Sequence, residues 1–201
     1  MATANTSPYI SPLPPISPQV QSQAGSSGQN FNVSGNLVGA MYVSTTGISP
    51  GATGADNVIG VIAIPANLFD NAGRGIQITA SGSFGANTDT KTVKAIYNPA
   101  TAVVGSTVGT GGTTVATTGA VTTNGGGWQL QISIYKTGSG GSNTQIGIHQ
   151  QAQVGSAVSA LTAPSALTGT ESGVILVAIT ANAATTASDV VLNFLEAFVT
   201  N

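Results

Sequence analysis

Apolar and polar residues alternate along much of this chain with the period of two that a half-buried strand requires. Between Arg74 and Phe84, Ile76, Ile78, Ala80 and Phe84 share one face, with Gln77, Thr79, Ser81 and Ser83 on the other. Trp128 to Lys136 repeats the pattern, setting Trp128, Leu130, Ile132 and Ile134 against Gln129, Gln131, Ser133 and Tyr135. Val58–Pro65 and Gly173–Thr180 are almost wholly apolar and predict strands buried on both faces. Leu37–Thr45, Thr90–Tyr97, Thr113–Val121 and Thr144–Val154 predict four more. The last forms a hairpin with the Trp128 strand across the glycine-rich turn 138–143. Asn87-Thr88-Asp89 and Asn98-Pro99 mark turns between strands, and Asp70-Asn71-Ala72-Gly73 reads as a turn before Arg74.

Asp189–Thr200 admits two readings. Val190, Val191, Phe194, Leu195 and Phe198 fit a helix capped by Ser188, whereas Val190, Leu192, Phe194 and Phe198 fit an alternating strand. β-branched and aromatic content favours the strand. With eight or nine short strands, the fold expected for residues 35–201 is an all-β, jelly-roll-like antiparallel β-sandwich.

Residues 1–34 read as a proline-rich extended N-terminal arm and a connector. Prolines crowd the run Ser7-Pro8-Tyr9-Ile10-Ser11-Pro12-Leu13-Pro14-Pro15-Ile16-Ser17-Pro18. Proline fixes φ near −65°, removes backbone donors and biases the residue before it to extended geometry, which predicts a polyproline II-like segment. Its apolar residues Tyr9, Ile10, Leu13 and Ile16 are candidates for docking on a capsid or a neighbouring subunit. The alternative is a disordered tail. Ser22–Asn30 reads as a polar connector.

Charged residues make up 5% of the 201 residues, against about a quarter in ordinary domains. The polar surface must therefore be built from Thr, Ser, Asn, Gln and Gly. Four basic residues against six acidic ones offer no electrostatic footprint for nucleic acid or anionic lipid. The longest apolar runs are too short to span a bilayer as a helix. With no cysteine and one histidine, His149, a His/Cys zinc site cannot be assembled within the chain. His149 reads as structural or solvent-facing, on a face shared with Gln145, Gln151 and Gln153. The acids Asp56, Asp70 and Asp89 fall in predicted turns, Glu171 precedes a buried strand, and Glu196 interrupts an apolar one. No catalytic, cofactor-binding or metal-ligating residue is assigned, no cofactor is implied, and the chain is not expected to be an enzyme.

Three stretches carry a resemblance to a known group. They are Ala55-Asp56-Asn57-Val58, the run Ile64-Pro65-Ala66-Asn67-Leu68-Phe69-Asp70-Asn71-Ala72-Gly73-Arg74-Gly75-Ile76, and Phe84-Gly85-Ala86-Asn87-Thr88-Asp89-Thr90-Lys91-Thr92-Val93-Lys94. Asn124-Gly125-Gly126-Gly127-Trp128 and Lys136-Thr137-Gly138 continue it more loosely. Together, over residues 55–200, they resemble jelly-roll surface proteins of tailed-bacteriophage virions, in particular capsid decoration (cement) proteins. That resemblance implies a structural virion protein, commonly a homotrimer, bound to the major capsid protein or another virion protein and assembled in the bacterial host cytoplasm. A tail fibre, baseplate or receptor-binding component of the tail is the alternative. Neither nucleic acid nor membrane is implied as a partner.

Overall fold

The computed structural model describes residues 54–155, 157–158, 161–183 and 189–200, together with the backbone of 39–44. The proline-rich arm, with Tyr9, Ile10, Leu13 and Ile16, lies outside the described residues. The strands are β1 (Gly39–Ser44), β2 (Asn57–Ile64), β3 (Gly75–Phe84), β4 (Lys91–Tyr97), β5 (Thr113–Thr117), β6 (Gly127–Lys136), β7 (Gln145–Val154), β8 (Ala157–Val158), β9 (Ser165–Leu167), β10 (Ile175–Ala183) and β11 (Val190–Thr200). The large sheet runs β1-β11-β3-β6-β7-β8, with β9 also on β7, and the small sheet runs β2-β10-β4-β5. Every pairing is antiparallel.

The pairing scheme is that of a long hairpin wound around a barrel. β1 pairs with β11, β2 with β10, β3 with β6 and β4 with β5. Chain-consecutive strands β1 to β4 alternate between the sheets, as do β10 and β11. These eight strands make a jelly roll. The hairpin partner β7, with the short β8 and β9, is inserted before β10 and widens the large sheet.

Alternation is realised where the sequence shows it most cleanly. Ile76, Ile78, Ala80 and Phe84 of β3 and Trp128, Leu130, Ile132 and Ile134 of β6 are all buried between the sheets. They meet Ile59, Ile62 and Ile64 of β2, Val93, Ala95 and Tyr97 of β4, and Val177 and Ile179 of β10 in one apolar cluster. Trp128 sits opposite Gly82, where a Cβ would come within 2.8 Å of the indole ring. Phe84 flanks the same ring at 6.4 Å between centroids. The missing side chain at 82 is what admits the indole between strands.

Both faces of β2 are buried, as its composition requires, and the cover on its outer face comes from the same chain. Val58, Val61 and Ala178 form a second apolar cluster, packed against Ala102, Val104 and Val108 of the long β4–β5 connection. That connection also pairs with the start of β2. Val58 N–H donates to Ser106 O at 2.9 Å, Gly105 N–H donates to Val58 O at 2.8 Å, and Val108 N–H donates to Asp56 O at 2.9 Å.

The favoured strand reading of Asp189–Thr200 holds, while the inward set of that strand and the bounds of others differ from expectation. Asp189–Thr200 contains a strand and no helix. A register shift between Leu192 and Phe194 leaves Asn193 as an extra residue. Such a bulge reverses the parity of everything beyond it, so Val190, Leu192, Leu195 and Ala197 are buried while Phe194 and Phe198 face outward, partly exposed. β5 ends at Thr117, and Val121 keeps only an isolated bridge to Lys91. Val174 lies outside β10 and is 55% exposed, not part of a two-sided buried strand.

Trp128→Ala is expected to destabilise the domain by about 3–5 kcal/mol, since the void left against Gly82 and Phe84 cannot close without moving β3. Thermal or urea unfolding measures this directly, and an unchanged midpoint would contradict the packing described.

Candidate functional site

Polar side chains gather in three places: around His149, at one end of the sandwich, and on the outer face of the large sheet. His149 is buried, not solvent-facing, and the reason lies in β7. The β6–β7 ladder pairs Gln131 with Gln151 but Ile132 with His149, leaving Gln150 as an extra residue. Before this bulge Gln145, Gly147 and His149 point inward; after it Ala152 and Val154 do, and Gln151 and Gln153 turn outward. The four residues read as one face therefore divide between two. Thr162 N–H donates to His149 Nδ1 at 3.2 Å, so the ring proton of neutral His149 is on Nε2, which is buried without a partner. Thr162 Oγ1 in turn donates to Val115 O on β5 at 3.3 Å. His149 thereby ties the β8–β9 segment across the gap between the edges of the two sheets. Burial holds the imidazole below its ordinary value of 6.5, against an opposing hydrogen bond to the Gln151 backbone.

The second group closes the end of the sandwich where the β6–β7 turn meets the β9–β10 connection. Lys136 and Glu171 form a buried ion pair. Lys136 Nζ also donates to Ser142 Oγ at 2.6 Å. Glu171 accepts from Gln145 Nε2 at 2.6 Å and from Gly141 N–H at 2.9 Å. Gln145 Oε1 accepts from the Tyr97 hydroxyl at 2.9 Å and from Gly169 N–H at 2.8 Å. Asn143 Oδ1 accepts from Glu171 N–H at 2.9 Å. Burial pushes the Glu171 carboxyl upward, but donation from Lys136, Gly141 and Gln145 and the Lys136 charge outweigh it and hold the group below its ordinary value. Tyr97 is held well above the ordinary phenol value, first by burial and then by the nearby Glu171 charge. Every donor is aimed at another member of the network, so the arrangement fastens the β6–β7 turn, the β9–β10 connection and β4 together rather than presenting a reactive group.

This network went unread in the sequence, although one signal was present. Lys136 has the parity of Trp128, Leu130, Ile132 and Ile134, so alternation alone places it inside, where it needs a partner. Nothing local identifies Glu171 as that partner.

The other cations are engaged as well. Arg74 pairs with Asp70 at 2.9 Å and Lys94 with Asp56 at 2.7 Å. Lys91, fully buried, donates to the carbonyls of Asn87, Asp89 and Thr123 at 2.9, 3.1 and 3.4 Å. Asp189, also buried, accepts from Asn87 Nδ2 at 2.6 Å. The Asp70-Asn71-Ala72-Gly73 stretch is the expected turn. Among the described residues no group of three His, Cys, Asp or Glu side chains converges on a metal position.

The third group is the outer face of the large sheet. Gln77, Thr79 and Ser81 on β3, Gln129 and Gln131 on β6, and Gln151 and Gln153 on β7 form neighbouring rows across the strands. Gln77 Nε2 donates to Gln150 Oε1 at 3.1 Å. Glu196, partly exposed, is the one charged residue among the outward positions of β3, β6, β7 and β11. Toward one end of this face Tyr135, Ile146, Ile148 and Phe198 are partly exposed and belong to neither apolar cluster. No known protein family, curated protein or solved structure matches this chain.

Two acid-labile contributions follow. Neutral His149 is favoured by the fold, so its contribution is complete above pH 6.5 and is lost as pH falls through its depressed folded value. Ionised Glu171 contributes fully above its ordinary value of 4.5 and is lost at still lower pH as it protonates. Urea unfolding between pH 8 and 3 is expected to show stability falling in these two stages. His149→Leu should remove the upper stage while lowering stability at pH 7 by about 1–3 kcal/mol, because Thr162 N–H loses its acceptor. A wild-type profile flat from pH 7 to 5 would contradict the buried neutral imidazole.

Proposed function

We propose that this protein is a structural component of a tailed-phage virion, a capsid decoration protein that binds and stabilises the head shell through its β domain and N-terminal arm. The observation that carries the reading is a jelly-roll sandwich in which all four cations are engaged by the protein's own groups, leaving an outer face of amides, hydroxyls and apolar side chains. Such a surface suits attachment to a neutral protein shell with little dependence on salt. Fold alone hosts many functions, and the resemblance of residues 55–200 to virion surface proteins supplies the rest of the case. Tyr9, Ile10, Leu13 and Ile16 are the proposed contacts of the arm. A polyproline segment is extended before it binds, so docking costs it less conformational entropy.

The assembly proposed is a homotrimer. The buried outer face of β2 does not require a second copy, because the β4–β5 connection covers it. Val191 and Phe194, partly exposed on the outward side of β11 nearer its start, are apolar surface that closed symmetry would protect. Sedimentation equilibrium at micromolar concentration is expected to give three times the monomer mass, and a monomer alone would refute it.

In purified particles the protein should approach the copy number of the major capsid protein, whereas a scarce component would point to the tail. Deleting residues 2–30 should sharply reduce occupancy on undecorated shells while leaving the β-rich circular dichroism spectrum unchanged. Equal decoration by the truncated protein would remove the arm from the mechanism.

A further inference from the structure

The two sheets differ in what lies over their outer faces. The small sheet is capped by Ala102, Val104 and Val108 of the β4–β5 connection. Among the described residues, no comparable segment packs on the outer face of the large one. At one end of that face a stripe crosses the strands in register. Phe198 on β11 lies beside Gln77 on β3, which pairs with Ser133 on β6 and through it with Ile148 on β7. One step along, Gly75 pairs with Tyr135, which pairs with Ile146. A Cβ at Gly75 would fall 2.4 Å from the Tyr135 ring, so the ring lies against bare backbone and broadens the apolar strip. The amides of Gln77, Gln131 and Gln151 border it.

We propose that this strip is the docking site for the protein's own segment Pro8–Pro18. The chemistry matches on three counts. A polyproline II segment has no internal hydrogen bonds, so its carbonyls are open to donors such as glutamine amides and a tyrosine hydroxyl. Proline-rich segments are bound by flat aromatic and apolar surfaces, which Tyr135 and Phe198 supply and which Tyr9, Ile10, Leu13 and Ile16 can cover. Residues 1–55 contain no Asp, Glu, Lys, Arg or His, so the segment brings no charged side chain that must be stripped of water, and the one charge on this face, Glu196, lies in the bordering row beside Thr79 rather than in the strip.

Chain length favours the segment of the same molecule. Gly39, where the described chain begins, pairs with Val199, one residue from Phe198 and at the same end of the sheet as Tyr135. From β1 to β6 or β7 is three or four strand spacings, roughly 14–19 Å. The 20 residues between Pro18 and Gly39 have a root-mean-square span of about 25 Å as a coil. A linker whose span is close to the separation gives nearly the highest effective concentration, so docking within one chain outcompetes docking between chains. This inference concerns the free protein and stands whether or not the virion reading does; on a shell, the segment would have to leave the strip before engaging a neighbour.

The chain has no cysteine, which makes disulfide trapping clean. In the full-length protein, the double substitution Leu13→Cys with Ile148→Cys is expected to close an intrachain disulfide under mild oxidation. It would be read as a faster-migrating monomer on a non-reducing gel. The control pair, Leu13→Cys with Val103→Cys, uses a residue 63% exposed on the cap of the other sheet and is expected to close severalfold more slowly. Adding Tyr135→Ala to the first pair should lower its yield toward the control, with circular dichroism checking the fold of each variant. Equal closure of the two pairs, insensitivity to Tyr135→Ala, or disulfides formed only between chains would each overturn the proposal.

Discussion

The ladder between β3 and β6 is the frame on which the rest of the domain is hung. Nine consecutive residue pairs, from Gly75–Tyr135 to Ser83–Gly127, run without a register shift. They set Ile76, Ile78, Ala80 and Gly82 beside Ile134, Ile132, Leu130 and Trp128 on the inner face. In the small sheet the β4–β10 ladder is equally unbroken over seven pairs. These two regular ribbons contribute to one apolar core, and each is flanked by strands that deviate. Bulges lie on the β11 side of β3, on the β7 side of β6, and where β2 and β5 join the small sheet. Regularity is kept at the centre, and the extra residues that twist and re-aim the chain are placed around it.

That distribution governs what could be read from the amino-acid sequence. β3 and β6 were legible almost residue by residue, because an unbroken ladder preserves strict alternation. β11 looked half helical for a physical reason: the inserted Asn193 splits its inward set into Val190 and Leu192, then Leu195 and Ala197. His149 was assigned in part to solvent for the same reason, since Gln150 shifts the parity between it and Gln151. A bulge has no composition of its own to announce it. β8 and β9, of two and three residues, are too short to show a period at all. The Lys136–Glu171 network was half visible, as a lysine with core parity, but its carboxylate lies 35 positions away and only folding brings the two together.

The scarcity of charge shapes the molecule in a less obvious way. A buried ion pair adds little net stability, because desolvation offsets its attraction, yet removing one partner is costly. In a chain with ten acidic and basic residues, four of them occupy two well-separated and partly exposed pairs, Arg74–Asp70 and Lys94–Asp56. Lys136 and Glu171 are buried, as is Lys91, which is held by three carbonyls. Charge here serves to fix where connections cross the sandwich. Solubility falls to amides and hydroxyls, whose hydration changes little with salt or with pH near neutrality.

The β4–β5 connection illustrates how misleading a loop can be. Its run of Gly, Thr, Ser and Val looks like dispensable surface, the sort of segment in which peptides are inserted or residues are trimmed. Val104 and Val108 instead roof Val58, Val61 and Ala178, and the connection's backbone occupies the free margin of β2. Shortening it would strip the roof and bare a strand margin at the same stroke, turning a well-behaved sandwich into one prone to stack on its neighbours. The β6–β7 turn is no freer, because Gly141, Ser142 and Asn143 hold Glu171 and Lys136 in place and Gly140 lies against the Asp70 backbone.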